Sequence, residues 1–500
     1  MRANITNSRG GALAGFARRR NHHVRSDPVQ HRQAKGTSVM TNLKPIRLLV
    51  TIALTLSIVA IALVAKGTRA QQQSSYTPVV EEPFEVVRAR DKAAKARVMA
   101  DHLKLLEERY DLRRHVDDSV RMTRGKPIPV GPTAILKNGL TWEQLGRMSP
   151  DEIRDKGAFP YLPLPHVNHP VGGMVFPQSE IKLLPRVERF DMDFDLPDWF
   201  LPEFPPAMFL TTRKDLGDVS KGQLVTVNNY YDLFNGILNP KQLEGLRLLV
   251  TQFPQQQFNA TADRKTERAD GMLGVACFDC HVNGHTSGAF HLVGDIRPQE
   301  NRRRIETTSL RGVNIQRLFG SQRALKSVED FTEFEQRAAY FDGDPVIATK
   351  KGVNILERGS QVHFMSEFED ILDFPPAPKL NILGRLDRSK ATESEIRGED
   401  IFFGKANCSA CHTPPYYTDN LMHDLKVERF FKPHMDGGMM MTAQGPIKTF
   451  PLRGIKESPP YLHDGRLLTL EDTVEFFNLV LELRLNPQEK KDLVAFMRVL

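Results

Sequence analysis

Cysteine is scarce in this chain, with 4 in 500 residues, all of them inside two pentapeptides, CFDCH at 277–281 and CSACH at 408–412. Two cysteines three apart do not readily pair with each other. A disulfide framework would therefore have to link one pentapeptide to the other, and it would leave the histidine that ends each of them unexplained. Tryptophan is scarcer still: Trp142 and Trp199 both lie upstream of either pentapeptide. The body of the chain also lacks net charge. The formal charge is +7, but residues 1–39 hold eight Lys and Arg against the single acid Asp27, which leaves 60 basic and 60 acidic residues in the remainder. That balance removes the support a basic sum would give to a nucleic-acid partner.

What is present is the CxxCH spacing, twice. A paired CxxC zinc site is one reading, but such sites normally occur in a compact module, and a long, structured-looking segment separates Cys280 from Cys408. The other reading is c-type haem attachment. Cys277 and Cys280 would form thioethers to one porphyrin with His281 as proximal iron ligand, and Cys408, Cys411 and His412 would do the same for a second. Two motifs that use every cysteine favour two covalently bound haem c groups over zinc or chance.

The basic leader 1–39 ends at Met40, a candidate true start. From there MTNLKPIRLLVTIALTLSIVAIALVAKGTRA has the form of an export signal, with Lys44 and Arg47 followed by an uncharged apolar run over 48–65. The run is longer than an ordinary signal core and long enough for one span. Cleavage after Ala70 and retention of 40–70 as an inner-membrane anchor both remain open. Either places the body in the periplasm, where c-type haem is attached.

Residues 84–115 are rich in charge, Ala and Leu, contain no Gly or Pro, and predict one long helix. The stretch from 125 to 235 turns to proline-rich loops and reads as an extra domain or an embracing arm, in which His166 and His169 are expected to be solvated or structural. The segment LNPKQLEGLRLLV then offers Asn239 as N-cap, Pro240 at the first helical position, and Leu243, Leu246 and Val250 on one face. Before the second motif, Thr392 and Glu395 form a capping-box pattern. Ile396 and Phe403 follow one heptad apart, and Gly398 permits a partner helix to approach closely. That partner is expected to be the end of the chain, capped by Asn486, Pro487 and Glu489, with the stripe Leu493, Phe496, Met497 and Leu500. The expected fold is mainly α. Two tandem cytochrome-c-like haem domains, 236–385 and 386–500, follow an extra helical and loop-rich N-terminal region at 71–235 and the signal or anchor segment.

Together, the paired CxxCH motifs and the stretch FPLRGIKESPPYLHDGRLLTLEDTVEFF at 450–477 resemble the bacterial dihaem cytochrome c peroxidases and MauG. The likeness covers roughly 236–500, so the chain would be a larger variant with an extra N-terminal region. The resemblance implies that hydrogen peroxide is reduced at the first haem, on His281, with electrons entering through the second, on His412, from a small cytochrome c or a cupredoxin. It also implies a Ca2+ ion between the haem domains, and a homodimer is a further expectation. Two alternatives are MauG-like oxidation of a protein or organic substrate, and plain dihaem electron transfer without peroxide chemistry.

The chain departs from the family in three places. Where the electron-transfer haem would take Met or Tyr as sixth ligand, the chain has Phe477, or Phe476 if the register slips, so Tyr461, His463 and Met439, Met440 and Met441 become the substitutes. No Trp stands in the stretch expected between the haems, where Phe319 is offered instead. The distal acid is expected in VEDFTEFEQRAAYFDGDP, with Glu333 and Glu335 as candidates ahead of Glu329. For the sixth position of the first haem, His291 is the better candidate and His285, only four residues beyond His281, the awkward one.

Overall fold

The computed structural model describes residues 80–164, 174–189, 196–252, 264–267, 275–292, 304–335, 355–433, 435–436, 439–440 and 445–500. The leader, the 40–70 segment, His166, His169 and Met441 lie outside these residues. Among the described residues, no helix is long and apolar enough to cross a membrane.

Each CxxCH motif is preceded by a helix of the same design. Pro240–Leu249 opens with a capping box in which Asn239 receives the Gln242 amide and Gln242 reaches back, with Pro240 at the first position. Glu393–Phe403 opens with the same reciprocal pair, Thr392 and Glu395. Each cap satisfies amide groups that a helix start otherwise leaves without partners. Six residues after the cap, each helix carries a glycine, and there a second helix crosses in near backbone contact. A Cβ on Gly245 would sit 1.9 Å from the carbonyl oxygen of Phe364 in the helix Ile355–Glu369. A Cβ on Gly398 would sit 1.9 Å from that of Asp492 in the closing helix Pro487–Met497. The closing helix is capped by Asn486 with Glu489, and Leu493, Phe496, Met497 and Leu500 are all buried against the core. Arg397 and Ser394 reach across the crossing to the Asp492 carboxylate at 2.6–2.9 Å.

Two apolar clusters underlie these crossings. One combines Leu246, Leu249, Phe278, Met365, Phe368 and Leu372 with Met208, Leu210, Val219 and Phe234. Leu210 pairs there with Leu372 across a short antiparallel strand pair. The other combines the C-terminal helices with side chains from residues 98–201. The proline-rich segment expected to be an extra domain or an arm is therefore an arm. Phe159 stacks on Phe430 at 5.1 Å, and Tyr161 meets Phe476 edge-on at 6.0 Å. The phenol of Tyr161 donates to Asp472 (3.0 Å), a buried carboxylate that also receives the Thr133 amide (2.8 Å) and hydroxyl (2.6 Å).

The long N-terminal helix runs over Phe84–Arg109 and stops short of 115. The reason is tertiary: Tyr110 bridges to Ala134, and the Arg109 side chain donates to the carbonyls of Leu162 and Pro163. Both contacts hold the chain against the arm, and continued helix would break them.

The crossings generate a paired test. Gly398→Ala should destabilise the protein by about 1–3 kcal/mol, the usual cost of overpacking. Gly359→Ala, in a helix where the added methyl meets nothing within 4 Å, should be neutral or stabilising by up to about 1 kcal/mol. Thermal unfolding of the two variants beside the parent measures both.

Candidate haem-attachment sites

The first motif is a single helical turn, Cys277–Cys280, whose leading Ala276 amide donates to the Asp279 carboxylate at 2.7 Å. Asp279, between the two cysteines, also receives both guanidinium nitrogens of Arg186 from the arm. His281 ends the turn. Its Nδ1 lies 2.9 Å from the Thr308 carbonyl oxygen. A carbonyl can only accept, so Nδ1 carries the hydrogen and Nε2 keeps its lone pair. Burial lowers the imidazole to about 4, so the ring is neutral at ordinary pH.

The second motif repeats this arrangement with different supports. Cys408–Ala410 forms a 3-10 turn, and His412 Nδ1 lies 2.9 Å from the Tyr417 carbonyl oxygen. Burial again lowers the ring's proton affinity. The Tyr417 phenol in turn donates to the Gly384 carbonyl, fixing the loop that supplies the support. In both motifs the histidine presents a neutral Nε2 held in orientation through Nδ1, as an iron ligand requires.

None of the four cysteines is in a disulfide. Burial pushes all four thiols up and so disfavours thiolates there, whereas a thioether carries no charge and suits the same surroundings. Around the first motif, the hydroxyls of Ser287 and Thr307 are buried without partners. These features fit a covalently held porphyrin. Among the described residues, the grouping able to hold an ion is Cys411, Asp419 and His423, with donor atoms within 4.8 Å of one another. The four cysteines do not converge as a paired zinc site would need.

The acids expected from sequence lie on the helix Val328–Glu335, with Glu333 and Glu335 both half-buried. The charge of Glu335 acts on both Cys277 and Cys280. Glu329 faces outward to His363 at 3.4 Å. Two further acids near this motif carried no sequence signal. Glu369, buried at the end of its helix, accepts from the Thr332 hydroxyl at 2.9 Å and acts on Cys277. Glu180, from the arm, is fully buried and acts on Cys280.

The candidates for a sixth position separate clearly. His285 is occupied: its Nδ1 meets the Ser309 hydroxyl at 2.7 Å and its Nε2 the Glu457 carbonyl at 3.0 Å. His291 is the middle residue of Phe290–Leu292, with its backbone paired to Met174 and Ile305. Tyr461 is buried and bridges to Leu467, and the His463 carbonyl accepts the Glu306 amide at 2.8 Å. Met440 lies in Met439–Met440, which pairs with Met435–Asp436. Phe476 is buried and meets Tyr161 of the arm edge-on.

Phe319 has the Lys448 ammonium over its ring at 5.5 Å. A cation over the face makes an already resistant ring harder still to oxidise. Stepwise electron removal through this position is thereby disfavoured.

No family model matches the chain. Over 157 residues it is 27% identical to cytochrome-c peroxidase IdrP1 of Pseudomonas sp., covering 23% of this chain and 41% of that protein. Over 133 residues it is 31% identical to methylamine utilization protein MauG of Methylorubrum extorquens, covering 23% of this chain and 36% of the relative. Cytochrome c551 peroxidase of Nitrosomonas europaea is 29% identical over 146 residues, with 27% and 42% covered. The chain thus spans less than half the length of these relatives, which by name include peroxidase enzymes.

Burial raises the Glu369 carboxyl from its ordinary 4.5 to about 8. The folded state therefore holds a proton that the unfolded chain has lost, and stability should fall as pH rises from about 4.5 to about 8. Glu369→Gln should flatten that part of the profile, each pKa unit being worth about 1.4 kcal/mol. Denaturant midpoints of parent and variant across this range measure the difference.

Proposed function

We propose that the chain is an exported dihaem c-type oxidoreductase that reduces hydrogen peroxide at the first motif, with electrons entering through the second. The observation that carries this reading is the shared geometry of His281 and His412, each donating Nδ1–H to a backbone carbonyl, which leaves the Nε2 lone pair as the ring's donor to a metal. The relatives named as peroxidases support the same reading. Cys277 and Cys280 would hold one porphyrin by thioethers, and Cys408 and Cys411 the other, in domains spanning 236–385 and 386–500. When bound, each haem would supply an iron that exchanges electrons and, at the first motif, could react with peroxide.

Peroxide reduction consumes two electrons and two protons and yields two waters, so the protein must hold and move protons beside the first centre. Glu335 is the leading candidate for that task and Glu333 the second, because a carboxylate can accept a proton from one peroxide oxygen and return it to the other. A small cytochrome c or cupredoxin would bring the electrons. The Ca2+ ion implied by the family, a homodimer, and the membrane anchor offered by the apolar run 48–65 belong to this proposal as further expectations. MauG-like oxidation of a protein or organic substrate is the second reading, favoured by the 31% identity to MauG. It uses the same centre and differs in what is oxidised.

Haem content is the first test. Pyridine haemochrome measurement should give two haems per chain, and His281→Ala and His412→Ala should each disturb one haem while leaving the other attached. Zinc in place of haem would remove the proposal.

Stopped-flow mixing with hydrogen peroxide tests the chemistry. The half-reduced protein should show a haem spectral change, and Glu335→Gln should slow it by about 10²–10⁴ with both haems retained. A parent protein with no response in the oxidised or half-reduced state would be an electron carrier. Should the parent respond and Glu335→Gln keep its rate while Glu333→Gln slows it, the acid is Glu333.

A further inference from the structure

The arm reaches the first motif at two anchors. Met174 and Val175 pair antiparallel with His291 and Phe290. After the short helix Gln178–Leu183, Arg186 forms its two-nitrogen ion pair with Asp279, between the two cysteines. Between the anchors stands Glu180, with 0% of its surface exposed and neither carboxylate oxygen hydrogen-bonded. The Ser287 hydroxyl influences Glu180 from the loop after the motif, yet it too lacks hydrogen-bond geometry to any partner. Asp279 is already engaged by Arg186 and the Ala276 amide. A carboxyl in such a place costs stability and returns none through a contact within the fold. It is, however, close enough for its charge to act on Cys280.

We propose that Glu180 is a proton-exchanging residue of the first haem centre, taking up a proton when that centre gains an electron and releasing it when the electron leaves. The proposal rests on the haem reading above. The electron that reduces this centre would come from the donor protein by way of the second centre. One proton from solvent forms the O–H bond of the Glu180 carboxyl, so the buried site gains no net charge. When the electron passes to peroxide, that O–H bond breaks and the proton goes to a peroxide oxygen, supplying one of the two protons the reaction consumes. Burial disfavours the charged form of the carboxyl, so the carboxylate would persist only beside the extra positive charge of the oxidised centre and would protonate when that charge is cancelled.

Of the groups that act directly on Glu180, none other can exchange a proton, and Glu335, which acts on the same Cys280, is told apart by its own Gln variant. Asp279 and Arg186 neutralise each other, Ser287 does not titrate in the working range, and Cys280 as a thioether carries no proton. Haem propionates titrate as well, and a substitution at 180 separates their contribution.

The experiment is a spectroelectrochemical titration of the full holoprotein across the neutral pH range, with the first haem assigned by its change in His281→Ala. The potential of the first haem should fall as pH rises. In Glu180→Gln most of that dependence should be lost, while the second haem keeps its own. Glu180→Met, of similar length and without a titrating group, gives the same reading should the amide impair folding. A parent potential independent of pH, or a dependence that survives in both variants, overturns the proposal. Haemochrome separates the two levels: fewer than two haems in the parent removes the haem reading and this proposal with it, whereas two haems with an unaltered dependence removes this proposal alone.

Discussion

The buried carboxylate of Glu457 is the point on which the rest of the structure turns. It receives the Arg311 guanidinium at 2.8 Å, with both side chains almost wholly buried, and the Thr123 amide and hydroxyl at 3.0 and 2.5 Å. Its own carbonyl takes His285 Nε2 at 3.0 Å. Four segments far apart in sequence therefore meet at one residue: the turn at Thr123 that leads into the arm, the loop after the first motif, the segment beyond it and the Pro-Tyr-x-His-x-Gly region. A buried ion pair of this kind adds little net stability over an apolar substitute, but breaking one half of it is costly. Its effect is to permit one arrangement of the four segments and penalise others.

The arm uses the same means at two further places. Asp472 closes it over the helix Leu470–Val480, with Thr133 and Tyr161 as donors. Asp464, paired with the fully buried Arg466, receives the Leu164 amide at 3.1 Å. Each of these carboxylates is matched by several donors. Glu180, carried by the same arm to the first motif, has only the Ser287 hydroxyl acting on it and no hydrogen bond of good geometry, and that contrast gives it chemical interest.

The two motifs share a design that extends beyond their five residues. A capped helix, a glycine six residues after the cap, a crossing helix seated on that glycine and a histidine oriented through Nδ1 occur in both halves. The supports differ: Thr308 lies well downstream of His281, whereas Tyr417 follows His412 closely. The second motif is thus held by its own loop. The first depends on distant chain, and the arm is fastened there through Asp279.

Much of this was legible in local sequence. The N-caps at 239 and 486, the capping box at 392, the glycine crossing at 398 and the apolar stripe of the closing helix follow from short-range rules, because each is set by residues within one or two turns. The paired motifs pointed to both histidines for the same reason. The end of the first long helix was not legible, since it is decided by Tyr110 and Arg109 meeting residues from the arm. Nor was the arm's course: proline-rich sequence signals irregular backbone without naming the surface that backbone covers. Glu180, Glu369 and the occupied state of His285 were out of reach too. A carboxylate in a charged or amphipathic helix looks the same whether it faces water or a buried motif, and only long-range packing decides which oxygens find donors. The sequence by itself determined where the two CxxCH motifs lie and where the helices begin; the tertiary structure decided which acids surround the first motif, because burial and partnership depend on contacts between segments that no local pattern encodes.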